Sequence, residues 1–271
     1  MSAVARHPFP SIESGRSRTA LFSLAAGIAL MFLVGPLLKL VVTSDSRMLA
    51  AAFADPAVLR AILLSAAAAT WATALGALVG LPLGYLLARH EFPGKAIVEG
   101  LIDLPIVIPH PIAGIALLFV FGRRFFVGRA FSLFGIHFAG AVPGIVIAML
   151  FVSAPFLVNA ARDGFAAVDP RLEGVARTLG RGPWGVFFGV TMPLARGSLV
   201  SGGVMMWARA LSEFGAVVVL AYYPMTAPVL IYDRFEGFGL QAAQPVAAAV
   251  VIVALAIFAA LRWLNLRQAA E

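Results

Sequence analysis

The chain has 271 residues, of which 61% are hydrophobic and 12% charged, and this composition excludes a soluble globular domain because so much apolar surface cannot be hidden from water. The net charge is +7, but the basic residues lie singly between apolar segments, so nucleic acid is not an expected partner. The absence of cysteine excludes a disulfide framework, a thiolate metal site and a cysteine nucleophile.

Six apolar segments are long enough to cross a bilayer, which takes about 20 helical residues. We therefore predict an all-α integral membrane protein with six transmembrane helices in contact with membrane lipid. Both termini are predicted to be cytoplasmic, because the segments that would then lie inside carry about twice as many basic residues as those outside. The predicted spans are residues 19–42, 59–88, 98–121, 140–161, 194–220 and 242–264.

Motifs for catalysis are missing from the sequence. There is no G-x-x-x-x-G-K-[ST] loop to hold nucleotide phosphates. The four histidines are scattered, without an H-E-x-x-H pattern. We therefore predict that the chain is not an enzyme and has no catalytic residue, no metal site and no cofactor of its own.

The third predicted span contains the proline-rich stretch PIVIPHPIAG. Pro105, Pro109 and Pro111 interrupt the helical hydrogen-bond ladder, which predicts a kink or an unwound turn that lines a cavity. His110 either points into that cavity or forms a hydrogen bond with a neighbouring carbonyl.

A polar segment, VDPRLEGVARTLGRGP, follows the fourth predicted span and falls on the cytoplasmic side. Asp169 is placed to cap a helix, Pro170 suits its first turn, and Gly180 can end it in the left-handed conformation. The predicted helix has about ten residues, and such a short helix is marginal in water unless it docks against something. Its apolar stripe consists of Leu172, Val175, Ala176 and Leu179, surrounded by Arg171, Glu173 and Arg177.

This stripe could pack on the chain's own spans, lie on the lipid surface or bind another protein. A second, interfacial helix is predicted after it, because Trp184, Phe187 and Phe188 suit a membrane interface. The chain is then expected to turn at Pro193 into the fifth span.

The fifth predicted span carries charged residues. Arg209 and Glu213 lie one turn apart, about 6 Å along the helix axis, so they can neutralise each other. An unpaired charge at mid-bilayer costs about 2.5–3.5 kcal/mol, so both side chains should face protein or a watery cavity. The pair is either structural or in contact with a solute in such a cavity, and Ser212 beside it either donates a hydrogen bond to that solute or fills a helix interface. The candidate residues of the translocation path are His110, Arg209, Ser212 and Glu213.

The loop after the fifth span is predicted to lie outside the membrane. Tyr222 and Tyr223 are typical of the aromatic belt at a membrane interface. Three charged residues follow them and are the candidates for docking an extracytoplasmic protein: Asp233, Arg234 and Glu236.

The cytoplasmic segment resembles the coupling loop of type-1 permease subunits of ATP-binding-cassette importers. That loop has the pattern E-A-A, three residues, Gly, nine residues, Ile, one residue, Leu-Pro, and residues 174–176, Gly180 and residues 190–193 fall at its spacing. Gly174 stands where the pattern has glutamate, although Glu173 precedes it. The resemblance implies a coupling helix that binds a separate ATPase through Glu173, Gly174, Val175, Ala176, Arg177, Leu179 and Gly180.

Residues 208–240 and 103–119 resemble permeases for molybdate and tungstate, most clearly in S-E-F-G-A and Y-Y-P-x-T-x-P-V-L-I. The resemblance implies a homodimer that pairs with two ATPase subunits, which hold ATP and Mg, and with an extracytoplasmic substrate-binding protein. It also implies import of a tetrahedral oxyanion across the cell membrane. The implied domains are a cytoplasmic tail at 1–18, the first span with its external loop at 19–56, a permease domain at 57–265 with the coupling loop at 163–193, and a tail at 266–271.

Two other functions remain open from the sequence. Sulfate and thiosulfate permeases share the expected fold and coupling loop, so the cargo could be one of those anions. A stand-alone secondary anion transporter could instead use Arg209, Glu213 and His110 as a proton relay, with the polar segment merely interfacial.

Overall fold

Helices account for the regular structure in the part of the chain that the structure, a computed structural model, describes, which is residues 13–270. Residues 1–12 of the N-terminal tail predicted at 1–18, and residue 271 of the tail predicted at 266–271, lie outside it. The α-helices are α1 (Glu13–Val42), α2 (Ser46–Ala54), α3 (Pro56–Arg89), α4 (Lys95–Val107), α5 (His110–Phe121), α6 (Phe126–Ser132), α7 (Val142–Ala166), α8 (Pro170–Thr178), α9 (Pro183–Val186), α10 (Met192–Leu211), α11 (Gly215–Leu220), α12 (Ala227–Phe238) and α13 (Leu240–Ala270). A π-helical turn (Phe187–Thr191) joins α9 to α10.

The helices form two compact units. One comprises Met1–Ala54 and Phe238–Glu271. Within it, α13 packs on α1 and α2, and Gln244 Nε2 donates a hydrogen bond to Thr43 Oγ1 at 3.1 Å. The other unit, Asp55–Gly237, contains every candidate site residue.

The second unit is built on α3, α7 and α10, which pack directly on one another. Gly76, Gly80 and Gly84 are buried at every fourth position of α3. A Cβ atom added to Gly84 would lie 2.8 Å from Ala161 Cβ on α7, and one on Gly76 would lie 2.3 Å from Met206 Cε on α10. Because lipid supplies no hydrophobic drive between helices, such close backbone approach provides much of the packing energy.

Four described helical segments are long and apolar enough to cross a membrane: Thr19–Val42, Pro56–Arg89, Val142–Ala166 and Leu240–Ile257. The bent pair of α4 and α5 would make a fifth. The predicted fifth span, 194–220, is not among them, because its apolar residues are divided between α10 and α11. The count of six spans stays a prediction.

The predicted interruption of the third span is confirmed. α4 ends at Val107, α5 begins at His110, and the two helices are bent by 114°. Pro111 lies in the first turn of α5, where the missing N–H breaks no helical hydrogen bond.

The prediction of one continuous fifth span is wrong at residues 212–214. α10 ends at Leu211, and α11 begins at Gly215. The side chain of Glu213 accepts a hydrogen bond from the Ala216 amide at 2.8 Å, so a new helix starts where the carboxylate caps it.

The predicted turn at Pro193 is also wrong. α9, the π-helical turn and α10 follow one another without a break from 183 to 211. Pro193 lies in the first turn of α10, and the wider π-helical turn just before it accommodates a residue that has no N–H to donate. The loop predicted after the fifth span contains a further helix, α12.

We predict that Gly84→Ala destabilises the protein by about 1–3 kcal/mol, because the new methyl group meets Ala161 Cβ at 2.8 Å and the Arg162 amide nitrogen at 3.0 Å. Gly100→Ala is the matched control, since Gly100 also lies inside a helix and no heavy atom lies within 4 Å of its added Cβ. The free energy of unfolding in detergent micelles distinguishes them. Equal stability of the two variants would contradict the close packing of α3 on α7.

Candidate functional site

The helix predicted from Asp169 to Gly180 is confirmed as α8, and local signals set both of its ends. The Asp169 carboxylate accepts a hydrogen bond from the Arg171 amide at 2.9 Å, and Pro170 is the first helical residue. Gly180 has a φ of +82°. Its amide bonds to Arg177 O at 3.0 Å, and the Arg181 amide bonds to Ala176 O at 3.1 Å, which is the Schellman termination of a helix.

The apolar stripe of α8 is only partly as predicted. Leu172, Val175 and Leu179 are 47%, 57% and 79% exposed, so no other part of the described chain covers them. Ala176, predicted in the same stripe, is buried, and so is Glu173, predicted on the polar surround. The reason is that α8 rests on the bundle through its Glu173 side, because that carboxylate finds cationic and hydroxyl partners there. We call the three exposed residues, Leu172, Val175 and Leu179, the α8 apolar face.

Glu173 joins three elements through one carboxylate that is 4% exposed. Oε1 accepts hydrogen bonds from Arg89 Nη2 at 2.8 Å and Arg89 Nε at 3.0 Å, at the end of α3. Thr191 Oγ1, in the π-helical turn, donates to Oε1 at 2.8 Å. Tyr85 OH lies 3.4 Å from Oε2, and Arg177 Nη2 lies 3.6 Å from it. α8 is therefore tied to both α3 and the entry to α10.

An aromatic cluster lies beside this carboxylate. Tyr85 packs edge-to-face on Phe165 and Phe187, with ring centroids 5.5 and 5.1 Å apart, and Phe165 is buried. Trp184 and Phe188 stack on each other with ring centroids 6.0 Å apart and remain 75% and 59% exposed. The inner rings hold the π-helical turn on α3 and α7, while the outer two extend the uncovered apolar surface.

The four candidate path residues come together at the two helix breaks. Glu213 is fully buried, and its Oε2 lies 2.8 Å from Arg209 Nη2 and 3.6 Å from His110 Nδ1. Arg209 Nη2 also lies 2.8 Å from His110 Nε2. Ser212 Oγ donates to Arg209 O at 3.0 Å and lies 3.4 Å from Arg209 Nη1. The predicted neutralisation of Arg209 by Glu213 is confirmed, and His110 contacts a guanidinium instead of a carbonyl.

Gly215 allows this meeting. A Cβ atom added there would lie 2.7 Å from His110 Cβ and 3.1 Å from Pro111 Cδ. The glycine of the S-E-F-G-A stretch is therefore required by close contact between the starts of α5 and α11.

The candidate docking residues are not equally free. Asp233 accepts a hydrogen bond from Tyr222 OH at 2.8 Å, which together with burial raises the pKa of Tyr222 to about 12. Arg234 pairs with Asp55, the residue that caps α3, and its guanidinium lowers the pKa of the Asp55 carboxyl. Only Glu236 of the three is exposed. Asp233 and Arg234 thus hold α12 in place within the chain.

Sequence reasoning missed Arg89, Tyr85 and Thr191 as partners of Glu173. Arg89 counted only as a basic residue at the cytoplasmic end of a span, and it lies 84 residues from Glu173 in the chain. The one local signal was that Glu173 sits in the first turn of α8 next to a stripe that needed a partner. Nothing in the spacing pointed to the identity of the cation.

Comparison with known proteins gives a family and close relatives. A family model described as "Binding-protein-dependent transport system inner membrane component" matches residues 80–268. The chain is 49% identical over 221 residues to the molybdate/tungstate transport system permease protein WtpB of Thermococcus kodakarensis, covering 82% of this chain and 84% of that protein. It is 50% identical over 210 residues to the protein of that name from Pyrococcus furiosus, covering 78% and 79%.

A solved structure shares the fold. It is a bacterial ABC transporter involved in the import of the acidic polysaccharide alginate, and one of its chains matches with a TM-score of 0.70 at 19% identity, over 94% of this chain and 97% of that one. At this identity the likeness concerns the fold alone, and it confirms the predicted all-α type-1 permease fold.

We predict that Glu173→Ala lowers the free energy of unfolding by about 3–5 kcal/mol, because it leaves the Arg89 guanidinium buried without its counter-charge. Glu91→Ala is the control. Glu91 also pairs with a cation, Lys95, but its side chain is 87% exposed, so its removal should cost less than about 1 kcal/mol. Denaturant titration in micelles measures both. A similar small loss for the two variants would contradict the structural role of Glu173.

Proposed function

We propose that this chain, which belongs to the family of binding-protein-dependent transport system inner membrane components, is the translocation subunit of an ATP-driven importer for molybdate or tungstate. The observation that supports molybdate or tungstate as the cargo is the 49% and 50% identity, over about four-fifths of each chain, to proteins named as molybdate/tungstate permeases. The chain is a non-catalytic subunit, and ATP hydrolysis belongs to a separate one.

The proposed assembly is a homodimer of this chain in the cell membrane, with two ATPase subunits inside and a substrate-binding protein outside. Both termini are cytoplasmic in this proposal, and residues 57–265 form the permease domain with its coupling loop at 163–193. ATP and Mg bind to the ATPase subunits, so this chain needs no cofactor of its own.

The α8 apolar face is the proposed contact with the ATPase. The exposure of two apolar side chains on a nine-residue helix and of a third at its C-cap, Leu179, is explained if an apolar groove of another subunit covers them. Val175 and Leu179 would enter the groove, and Gly174, Arg177 and Gly180 would contact the ATPase at the edge of the groove. Ala176 and Glu173 face the chain itself and would transmit the movement.

Movement of α8 would reach the membrane helices through Glu173. Its carboxylate bonds to Arg89 at the end of α3 and to Thr191 just before α10. When ATP closes the ATPase pair, a displaced α8 would therefore pull on both helices. The nucleotide needs only to stabilise one arrangement of the bundle more than the other for access to alternate.

Arg209, Ser212, His110 and Glu213 are the proposed path residues. A charge in a membrane helix has to face protein or water. The Arg209 and His110 side chains keep 22% and 36% of their surface exposed, while Glu213 behind them is fully buried. The open side of the cluster consequently presents hydrogen-bond donors, which suits an oxyanion.

Docking of the binding protein is proposed on the external side of α12. Glu236 is free to contact it, whereas Asp233 and Arg234 would act by holding α12 against Tyr222 and Asp55.

Vesicles that contain the chain with its ATPase and binding protein test this function. We expect ATP-dependent uptake of molybdate and tungstate that depends on all three components, with little uptake of sulfate. Uptake of sulfate in preference to both would make the chain a sulfate permease. Equal uptake by vesicles containing only this chain would make it a stand-alone transporter.

We predict that Val175→Asp weakens binding of the purified ATPase subunit at least about tenfold, because the new carboxylate would be buried in an apolar groove. Thr178→Asp is the matched control, since it adds the same charge to the same half of α8 beside the α8 apolar face. Both positions are exposed, so the melting temperature of the chain should stay unchanged. Unaltered binding by Val175→Asp would exclude the α8 apolar face as the contact.

A further inference from the structure

We propose that Glu213 is a positioning residue that keeps the oxyanion affinity of the translocation path low. This inference rests on the proposed function, because it concerns the Arg209 cluster on the path. The cluster binds its anion weakly enough to release it, and the buried carboxylate of Glu213 is the cause.

Both oxygens of the Glu213 carboxylate have partners within the chain. Glu213 Oε1 accepts the Ala216 amide at 2.8 Å, and Oε2 lies 2.8 Å from Arg209 Nη2. No part of Glu213 is exposed, so no anion or water in the path reaches it. Glu213 therefore acts on a passing anion only through Arg209.

The Glu213 carboxylate leaves some of the N–H donors of the Arg209 guanidinium free. Glu213 and His110 share Nη2, and Ser212 Oγ lies 3.4 Å from Nη1. The guanidinium has five N–H donors, and its Nε and one Nη1 hydrogen have no partner among the described residues. Glu213 thus binds Nη2 of the guanidinium and leaves Nε and one Nη1 hydrogen as the donors available to an anion in the proposed path.

The net charge of the Arg209 cluster sets how strongly it attracts an anion. Arg209 and Glu213 together carry no net charge, so the pair offers hydrogen bonds without a strong electrostatic attraction for anions. If Glu213 were neutral, the same donors would carry a full positive charge in a poorly screened position. Attraction for a divalent oxyanion would rise steeply, because charge interactions strengthen as the effective dielectric constant falls.

An importer gains from this neutralisation. The anion has to leave the path towards the cytoplasm, so a site that held it tightly would slow each cycle. Arg209 supplies donors for brief hydrogen bonds to the oxyanion, and Glu213 removes the excess charge that would trap it.

The experiment uses the complex of this chain with its ATPase and measures tungstate retained after gel filtration, by elemental analysis, over a range of tungstate concentrations. Glu213→Gln keeps the side-chain volume and removes the charge. We expect it to bind tungstate at least about tenfold more tightly than the wild type and to import it more slowly in vesicles.

Three controls separate charge from structure. Glu99→Gln removes the carboxylate that pairs with a different arginine, Arg162, at 3.4 Å. It should leave the affinity for tungstate unchanged. Glu213→Asp keeps the charge and should bind tungstate as weakly as the wild type. The double variant Arg209→Gln with Glu213→Gln lacks both charges and should lose the tight binding again.

A damaged fold can slow import but has no means of tightening anion binding, so affinity is the decisive quantity. Glu213→Gln with wild-type or weaker tungstate affinity would overturn the inference and leave the importer function standing. Tighter binding by Glu213→Gln in a complex whose wild type imports neither molybdate nor tungstate would overturn the proposed function and leave the role of Glu213 standing.

Discussion

A carboxylate inside an apolar helical bundle has to be paired with a cation, since removal of one partner from a buried ion pair costs several kcal/mol. Two carboxylates among the described residues are buried in this way, and each marks a place where the helical pattern changes. Glu173 pairs with Arg89 where α8 rests on α3. Glu213 pairs with Arg209 where α10 ends and α11 begins. Both candidate functional regions are organised around these two neutralised charges.

The ion pairs have consequences at a distance because the helices that carry them are packed closely. α3 carries Arg89 as its last residue and the buried glycines Gly76, Gly80 and Gly84 along its length. These glycines bring α3 into van der Waals contact with α7 and α10. Helices in such contact move as rigid neighbours, so in the proposed mechanism a displacement of α8 through Glu173 would be passed from α3 to α7 and α10.

The two pairs differ in what surrounds them. Arg89 is 10% exposed and is enclosed by its partners, which suits a joint that must not dissociate. Arg209 is 22% exposed and keeps donors without partners among the described residues, which suits the brief contact with a solute that we propose. In this proposal the same pairing of arginine with glutamate is a fixed joint in one place and a neutralised binding surface in the other, and the exposure of the arginine makes the difference.

The sequence by itself determined what depends on composition and on neighbours within a turn or two. Its apolar content implied a membrane protein, Asp169, Pro170 and Gly180 bounded α8, the prolines near His110 predicted the break in the third span, and the spacing of Arg209 and Glu213 predicted their pairing. The tertiary structure alone decided that Glu173 bonds to Arg89 and Thr191, that His110 reaches Arg209 across 99 residues of chain, and that residues 212–214 leave the helix. Local rules describe hydrogen bonds and side chains a few residues apart. The partner of a buried charge is set by which helices pack together, and that depends on close contacts between segments far apart in the chain.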